Sequence, residues 1–157
     1  AALPYLRAQG SGHIIQVSSI GGISAFAGLG AYHASKWALE GFSQSLAAEV
    51  ERFGVHVTLI EPGGFATDWG GASAKRTTEL PEYDGLRADV ARWRSERNAV
   101  PGNPEASAAA VLKIVYAEKP PMRVFFGSAP LQIAKTDYEN RLRTWEEWQP
   151  VSELAQG

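Results

Sequence analysis

Apolar and polar positions along the chain alternate between short runs of β-branched residues and stretches with helical spacing. The first run, His13-Ile14-Ile15-Gln16-Val17, follows the glycine-marked turn Gly10-Ser11-Gly12 and ends in Ser18-Ser19. It predicts a buried strand over Ile14 to Val17 whose far end carries hydroxyls. After a loop from Ile20 to Gly30, the segment Ala34 to Phe53 repeats Leu39, Phe42, Leu46, Val50 and Phe53 at steps of three and four. Glu40, Gln44, Glu49 and Arg52 fall on its other faces. That is the pattern of an amphipathic helix. Gly54 supplies the stop, and Val55-His56-Val57-Thr58-Leu59-Ile60 reads as a second strand closed by Pro62-Gly63-Gly64. Strand, helix and strand in this order make a βαβ unit, with parallel strands and a right-handed crossover.

From Ala66 to Asn103 no strand period persists, and single aromatics (Trp69, Tyr83, Trp93) alternate with charges and glycines. This is read as an excursion with a helix from Tyr83 to Arg97. Pro104-Glu105 opens a helical stretch, Ala106 to Glu118. Met122 to Gly127 is a third strand, and Leu131 to Trp148 is rich in helix formers before Pro150 and a polar tail. The pattern predicts an α/β Rossmann-type parallel sheet of about three strands with flanking helices. Without repeats or linkers, residues 1–157 count as one domain.

Composition narrows the chemistry. The sequence of 157 residues has no cysteine, which excludes a disulfide framework, a thiol nucleophile and a thiolate metal site. A net charge of -2, spread along the chain, gives no basic footprint for nucleic acid. The apolar runs stop far short of a membrane span, so a soluble, cytoplasmic protein is expected. His13, His33 and His56 show no metal-ligand spacing, and no metal is expected. His13 and His56 are read as structural, and His33 as structural or touching substrate.

Tyr32 and Lys36 stand one helical turn apart, so their side chains share a face. A nearby ammonium favours a phenolate, which would suit Tyr32 to general acid and base work. A surface tyrosine and lysine on a helix would look the same. Two neighbours change the balance. Ser19, thirteen residues before Tyr32, sits at the C-terminal end of the first strand, where parallel α/β sheets place their ligands. Beyond the second strand, Pro62-Gly63-Gly64-Phe65-Ala66-Thr67 is a reversal that permits close backbone approach, followed by a hydroxyl.

Together, Ser19, Tyr32-His33-Ala34-Ser35-Lys36 and the Pro62-Gly63…Thr67 loop resemble the classical short-chain dehydrogenases/reductases, from Leu3 to Trp148. The segments Glu61 to Asp68 and Pro121 to Gly127 are most similar to members like the 17β-hydroxysteroid dehydrogenases. The resemblance implies an NAD(P)-dependent oxidoreductase acting on a small-molecule alcohol or ketone, with NADP slightly favoured. Tyr32 would exchange the proton, Lys36 would bind the nicotinamide ribose, and Ser19 would stabilise the reacting oxygen. Backbone at Pro62, Gly63 and Phe65 would flank the nicotinamide, and Thr67 would hold its carboxamide or a phosphate. Phe26, Phe65 and Trp69 suggest a hydrophobic substrate, and Trp93 is a further pocket candidate. A homodimer or homotetramer through the helix 34–53 is also implied.

The family's glycine-rich pyrophosphate turn, its Asn-Asn-Ala-Gly strand end and its helix asparagine have no counterpart in this sequence. The expectation is therefore a chain lacking the N-terminal dinucleotide-binding half, roughly a hundred residues with four strands, and inactive in isolation. Ala1 to Gln9 would be the end of the preceding helix. The competing expectation is a non-catalytic interaction or dimerisation module built on the same helix.

Overall fold

The structure, a computed structural model, describes residues 1–72, 74, 77–96 and 100–157. Its frame is a three-stranded parallel sheet: β1 (Gly12–Val17), β2 (Val55–Pro62) and β3 (Arg123–Phe126), in the order β1-β2-β3. Gly12 pairs with Val55 and Val17 with Ile60, while Leu59 pairs with Arg123 and Pro62 with Phe126. Because parallel neighbours cannot be joined by a tight hairpin, each pair needs a crossover. Helix α2 (Gly30–Val50) joins β1 to β2. Helices α3 (Asp84–Glu96) and α4 (Ser107–Val115) lie between β2 and β3, and α5 (Pro130–Glu147) and α6 (Gln149–Leu154) follow β3. Helix α1 (Leu3–Gln9) leads into β1, ended by Gly10 at φ 70°.

Alternation along β2 sorts the core into two layers. On one face Val55 and Val57 pack against Leu46 and Val50 of α2, with Leu3 and Leu6 of α1 at the margin. On the other, Ile60 joins Ile114 of α4 and Phe126 of β3. A third cluster ties Ile20 and Ile23, just past β1, to Ala134 of α5. Among the described residues no helix is long and apolar enough to cross a membrane.

Element ends differ from the sequence expectation in physically readable ways. Helix α2 begins at Gly30, four residues before Ala34, because the turn before it already holds helical bonds such as His33 N–H to the Leu29 carbonyl. Tyr32 is thus inside the first turn. The helix ends at Val50 in a short 3-10 turn over Glu51–Phe53. α4 is shorter than Ala106 to Glu118, and the polar tail forms α6, with Pro150 tolerated in its first turn. The helix expected over Tyr83 to Arg97 is present as α3, and Arg97 lies outside the described residues.

Two constraints fix the frame beyond hydrophobic packing. At the base of the sheet, Gly54 has φ 68° and lies so close to the Gly10 carbonyl that an added Cβ would sit 2.3 Å from its oxygen. Towards the C-terminal end of β2, Glu61 and Glu40 of α2 are both buried beside Arg123 of β3. Arg123 Nε lies 3.0 Å from Glu40 Oε2 and 3.3 Å from Glu61 Oε1, and its Nη2 donates to Gln44 at 3.0 Å. One guanidinium serving two carboxylates leaves excess negative charge out of water. Burial, and after it the neighbouring Glu40, push the Glu61 carboxyl up to about 8, against the pull of Arg123.

Two outcomes follow. Gly54→Ala should lower unfolding free energy by about 2 kcal/mol or more in a urea titration, since a side chain there meets left-handed strain as well as backbone. For Glu61, the folded form holds a proton that the unfolded chain releases above its ordinary 4.5. Its stabilisation is complete below that value and is lost as pH rises towards 8, at a slope of order 1 kcal/mol per pH unit. Glu61→Gln should flatten that slope and be more stable than the parent at pH 8, as read from thermal midpoints across the range.

Candidate active site

The C-terminal ends of β1 and β2 and the first turn of α2 converge on one edge of the sheet. β1 delivers Ser18 and Ser19, both buried. Consecutive residues of an extended chain face opposite ways, and the two hydroxyls are used differently. Ser18 Oγ lies beside Gly22 and Glu40 and has no hydrogen-bond partner among the described residues. Ser19 Oγ accepts the Gly21 N–H at 2.9 Å, capping a 3-10 turn over Ile20–Gly22. With a lone pair occupied by this backbone donor, the Ser19 hydroxyl proton is left to be donated elsewhere.

Gly21 is where strand and helix meet. A Cβ there would fall 2.9 Å from the Tyr32 ring and 3.1 Å from the His33 ring. The lack of a side chain lets the first turn of α2 press directly onto the serine turn. Tyr32 is half-buried, and the edge of its ring also packs against Trp69, with centroids 5.1 Å apart. One turn along α2, Lys36 places its Nζ 5.9 Å from the Tyr32 ring centroid and donates to the Val17 carbonyl at 3.0 Å. That bond ties the ammonium to the strand that carries Ser19 and engages one of its three protons.

The loop after β2 is pinned at both ends. Gly63 N–H donates to the Phe126 carbonyl, and a Cβ on Gly63 would meet Pro130 at 2.9 Å. Farther on, Gly64 and Ala66 exchange backbone bonds with Gly102 around the Phe65 bridge. Pro62 ends β2. Thr67 Oγ1 accepts the Trp69 N–H at 3.4 Å, a long bond that starts the turn Asp68–Gly70. The Phe65 ring packs with Ile60, Ile114 and Phe126 and against Gly102. It is spent on the core, so what Phe65 offers at the sheet edge is backbone. The aromatics beside Tyr32 are Trp69 and His33. Phe26 packs on the far side of His33 and against Trp93 of α3, with ring centroids 6.0 Å apart.

Several groups around this site were not singled out by sequence spacing. His33 is 5% exposed and engaged at both ring nitrogens. Ser24 donates to Asp137 at 3.0 Å, and Arg141 donates to the Ile23 carbonyl and pairs with Asp137, so α5 backs the serine loop. A charge inside an otherwise apolar strand run, Glu61 after Leu59-Ile60, was the one sequence signal for the buried cluster beneath. His13 Nε2 donates to Thr58 Oγ1, 2.9 Å away at the opposite end of the sheet, since the Thr58 proton is given to the Pro121 carbonyl. Burial, and then His56, hold it below the usual histidine range. Among the described residues no group of histidines and carboxylates could hold a metal ion.

Comparison with known proteins bears on the family and the fold. Residues 1–78 match the short chain dehydrogenase family. The oxidoreductase BOA17 of Botryotinia fuckeliana is 39% identical over 97% of the chain, which covers 56% of that protein. The 3-ketodihydrosphingosine reductase of Bacteroides thetaiotaomicron is 38% identical over 81% of the chain and 48% of its own length. The crystal structure of a short-chain dehydrogenase from Streptomyces avermitilis superposes with a TM-score of 0.84 at 35% identity, over 98% of this chain and 56% of that one. The chain thus spans about half the length of the relatives it matches. On the βαβ frame, the serine turn and the tyrosine-lysine helix together, the chain belongs to the short-chain dehydrogenase family.

Proposed function

We propose that this chain carries the proton-transfer side of an NAD(P)-dependent oxidoreductase interconverting an alcohol and a ketone. The observation that carries the reading is the contact at Gly21, where the Tyr32 ring lies against the turn whose N–H is held by Ser19. In the reductive direction Tyr32 gives its phenolic proton to the substrate oxygen, and Ser19 donates a hydrogen bond to that same oxygen as negative charge grows on it. In the oxidative direction Tyr32 takes the proton back. Lys36 stabilises the phenolate that remains.

The residues suit a nicotinamide nucleotide. Lys36 has protons beyond the one given to Val17 with which to hold ribose hydroxyls, beside Tyr32. Space beside Gly64 is open: among the described residues, its chain neighbours aside, no atom lies within 4 Å of an added Cβ, and the backbone of Pro62, Gly63 and Phe65 offers a wall to a ring. The Thr67 hydroxyl, accepting only a long bond, can donate to a carboxamide or a phosphate. When bound, the nicotinamide supplies or accepts the hydride at the substrate carbon. The protein supplies orientation and charge.

Trp69, Phe26 and Trp93 favour an apolar substrate, and the keto substrate in the name of the Bacteroides relative agrees with that chemistry. Assembly as a homodimer or homotetramer is assigned to the helix α2, on whose outward side Phe42 is 63% exposed. Phe42→Glu should then halve the mass measured by light scattering, or reduce it further.

In the full-length protein carrying this sequence, Tyr32→Phe should lower kcat for ketone reduction by about 10² to 10⁴. Circular dichroism and the assembled mass should not change. Turnover within a few-fold of the parent, tried with both NADH and NADPH, would remove the proposed role.

A further inference from the structure

His33 follows Tyr32 in the chain, and its ring is turned the other way, into the protein. It packs edge-on or tilted against Tyr32 and Phe26, with centroids 5.8 and 5.5 Å away. Its Nδ1 lies 2.7 Å from the Gly21 carbonyl oxygen, and its Nε2 lies 2.8 Å from the backbone nitrogen of Phe26. A carbonyl can only accept and a backbone N–H can only donate. The two partners therefore dictate one neutral tautomer, with the proton on Nδ1 and the lone pair on Nε2. The ring spans the loop between strand and helix, grasping residue 21 at one end and residue 26 at the other.

We infer that His33 is a positioning residue: it fixes the turn that carries Ser19 against the helix turn that carries Tyr32, and so sets the spacing of the two hydroxyls. The inference rests on the proposed roles of Ser19 and Tyr32. Gly21 is held from both sides, its N–H by Ser19 Oγ and its carbonyl by His33. A shift of that residue changes which way the Ser19 hydroxyl is aimed. On the other side of the loop, Ser24 with Asp137 and Arg141 with the Ile23 carbonyl hold it to α5, and Arg141 reaches α2 only by stacking on the Trp37 ring, 4.8 Å away, one turn beyond His33. Among the described residues, the His33 bonds are the side-chain hydrogen bonds that join the loop directly to α2. Lys36 is anchored separately, through Val17, so cofactor affinity should not depend on His33.

The test compares three variants of the full-length protein. His33→Phe keeps a buried ring but can neither donate to Gly21 nor accept from Phe26. His33→Asn places an amide N–H near the Nδ1 position and retains the bond to Gly21. His33→Gln places an amide oxygen near Nε2 and retains the bond from Phe26. His33→Phe should lower kcat by about 10- to 100-fold, the range that a displaced reacting group costs. Its Kd for the nicotinamide nucleotide should stay within about threefold of the parent. His33→Asn should recover most of the loss, and His33→Gln less, because Gly21 is the residue that touches Ser19. If His33→Phe does not fold, the order of Asn above Gln carries the same information. Nitrogen-15 spectra of the imidazole give a readout independent of turnover, with a protonated Nδ1 and an unprotonated, hydrogen-bonded Nε2 expected at neutral pH. A proton on Nε2, a kcat for His33→Phe within threefold of the parent, an equal kcat for the Asn and Gln variants, or a loss that merely follows the folded fraction would each overturn the inference. Absence of nicotinamide-dependent turnover in the parent protein would instead defeat the proposed function, and the imidazole spectra would still decide whether the ring holds the loop.

Discussion

The close approach of α2 to the turn after β1 is the constraint on which the site depends. A strand and a helix separated by a loop do not bring two hydroxyl-bearing residues to one place unless some point along the interface lets the backbones nearly touch. Gly21 is that point, with room for the Tyr32 and His33 rings and none for a methyl group. Ser19 and Lys36 are then tied in by bonds to main chain, at Gly21 N–H and the Val17 carbonyl. Both backbone partners are firmly held, Val17 by the β1–β2 ladder and Gly21 by the 3-10 turn it belongs to. Functional groups held this way lose little on ordering, which is what preorganised electrostatics require.

A second layer of control lies beneath the first, where two buried carboxyl groups meet the part-exposed guanidinium of Arg123. Arg123 at the start of β3 reaches across to Glu40 on α2 and to Glu61 on β2, and so joins three elements whose hydrophobic contacts alone would permit sliding. Apolar packing is non-directional, whereas an ion pair of this kind has one good geometry. Buried charge adds little net stability as a rule. Its effect here is on register: Glu61 immediately precedes Pro62 and Gly63, so locking it against α2 sets the loop after β2 relative to Tyr32 and Lys36.

Much of the frame was legible before any coordinates. The βαβ order, the parallel sheet, α3 within the excursion and the helical end all follow from periodicity and from Gly and Pro punctuation, because those signals are local. Element ends were less so. α2 starts at Gly30 rather than Ala34 since its first turn carries no capping side chain to announce it. The residues proposed for chemistry were found by spacing, but their supports were not. His33 looks in sequence like any residue between Tyr32 and Ala34, and only burial between the residue 21 carbonyl and the residue 26 amide shows its use. The same holds for Asp137 and Arg141, more than a hundred positions from the serine loop. Phe65 shows the converse, an aromatic expected at the pocket whose ring belongs to the core.

The bond from Ser24 to Asp137 spans 113 residues of chain. Closing so long a separation costs entropy that only late, cooperative packing repays. The βαβ unit can assemble from neighbours, but the turn bearing Ser19 reaches its final shape only after α5 has docked. During synthesis the turn bearing Ser19 therefore settles only after Asp137 and the rest of α5 have emerged from the ribosome. A nascent chain that has completed its sheet would therefore still be without a settled turn at Ser19.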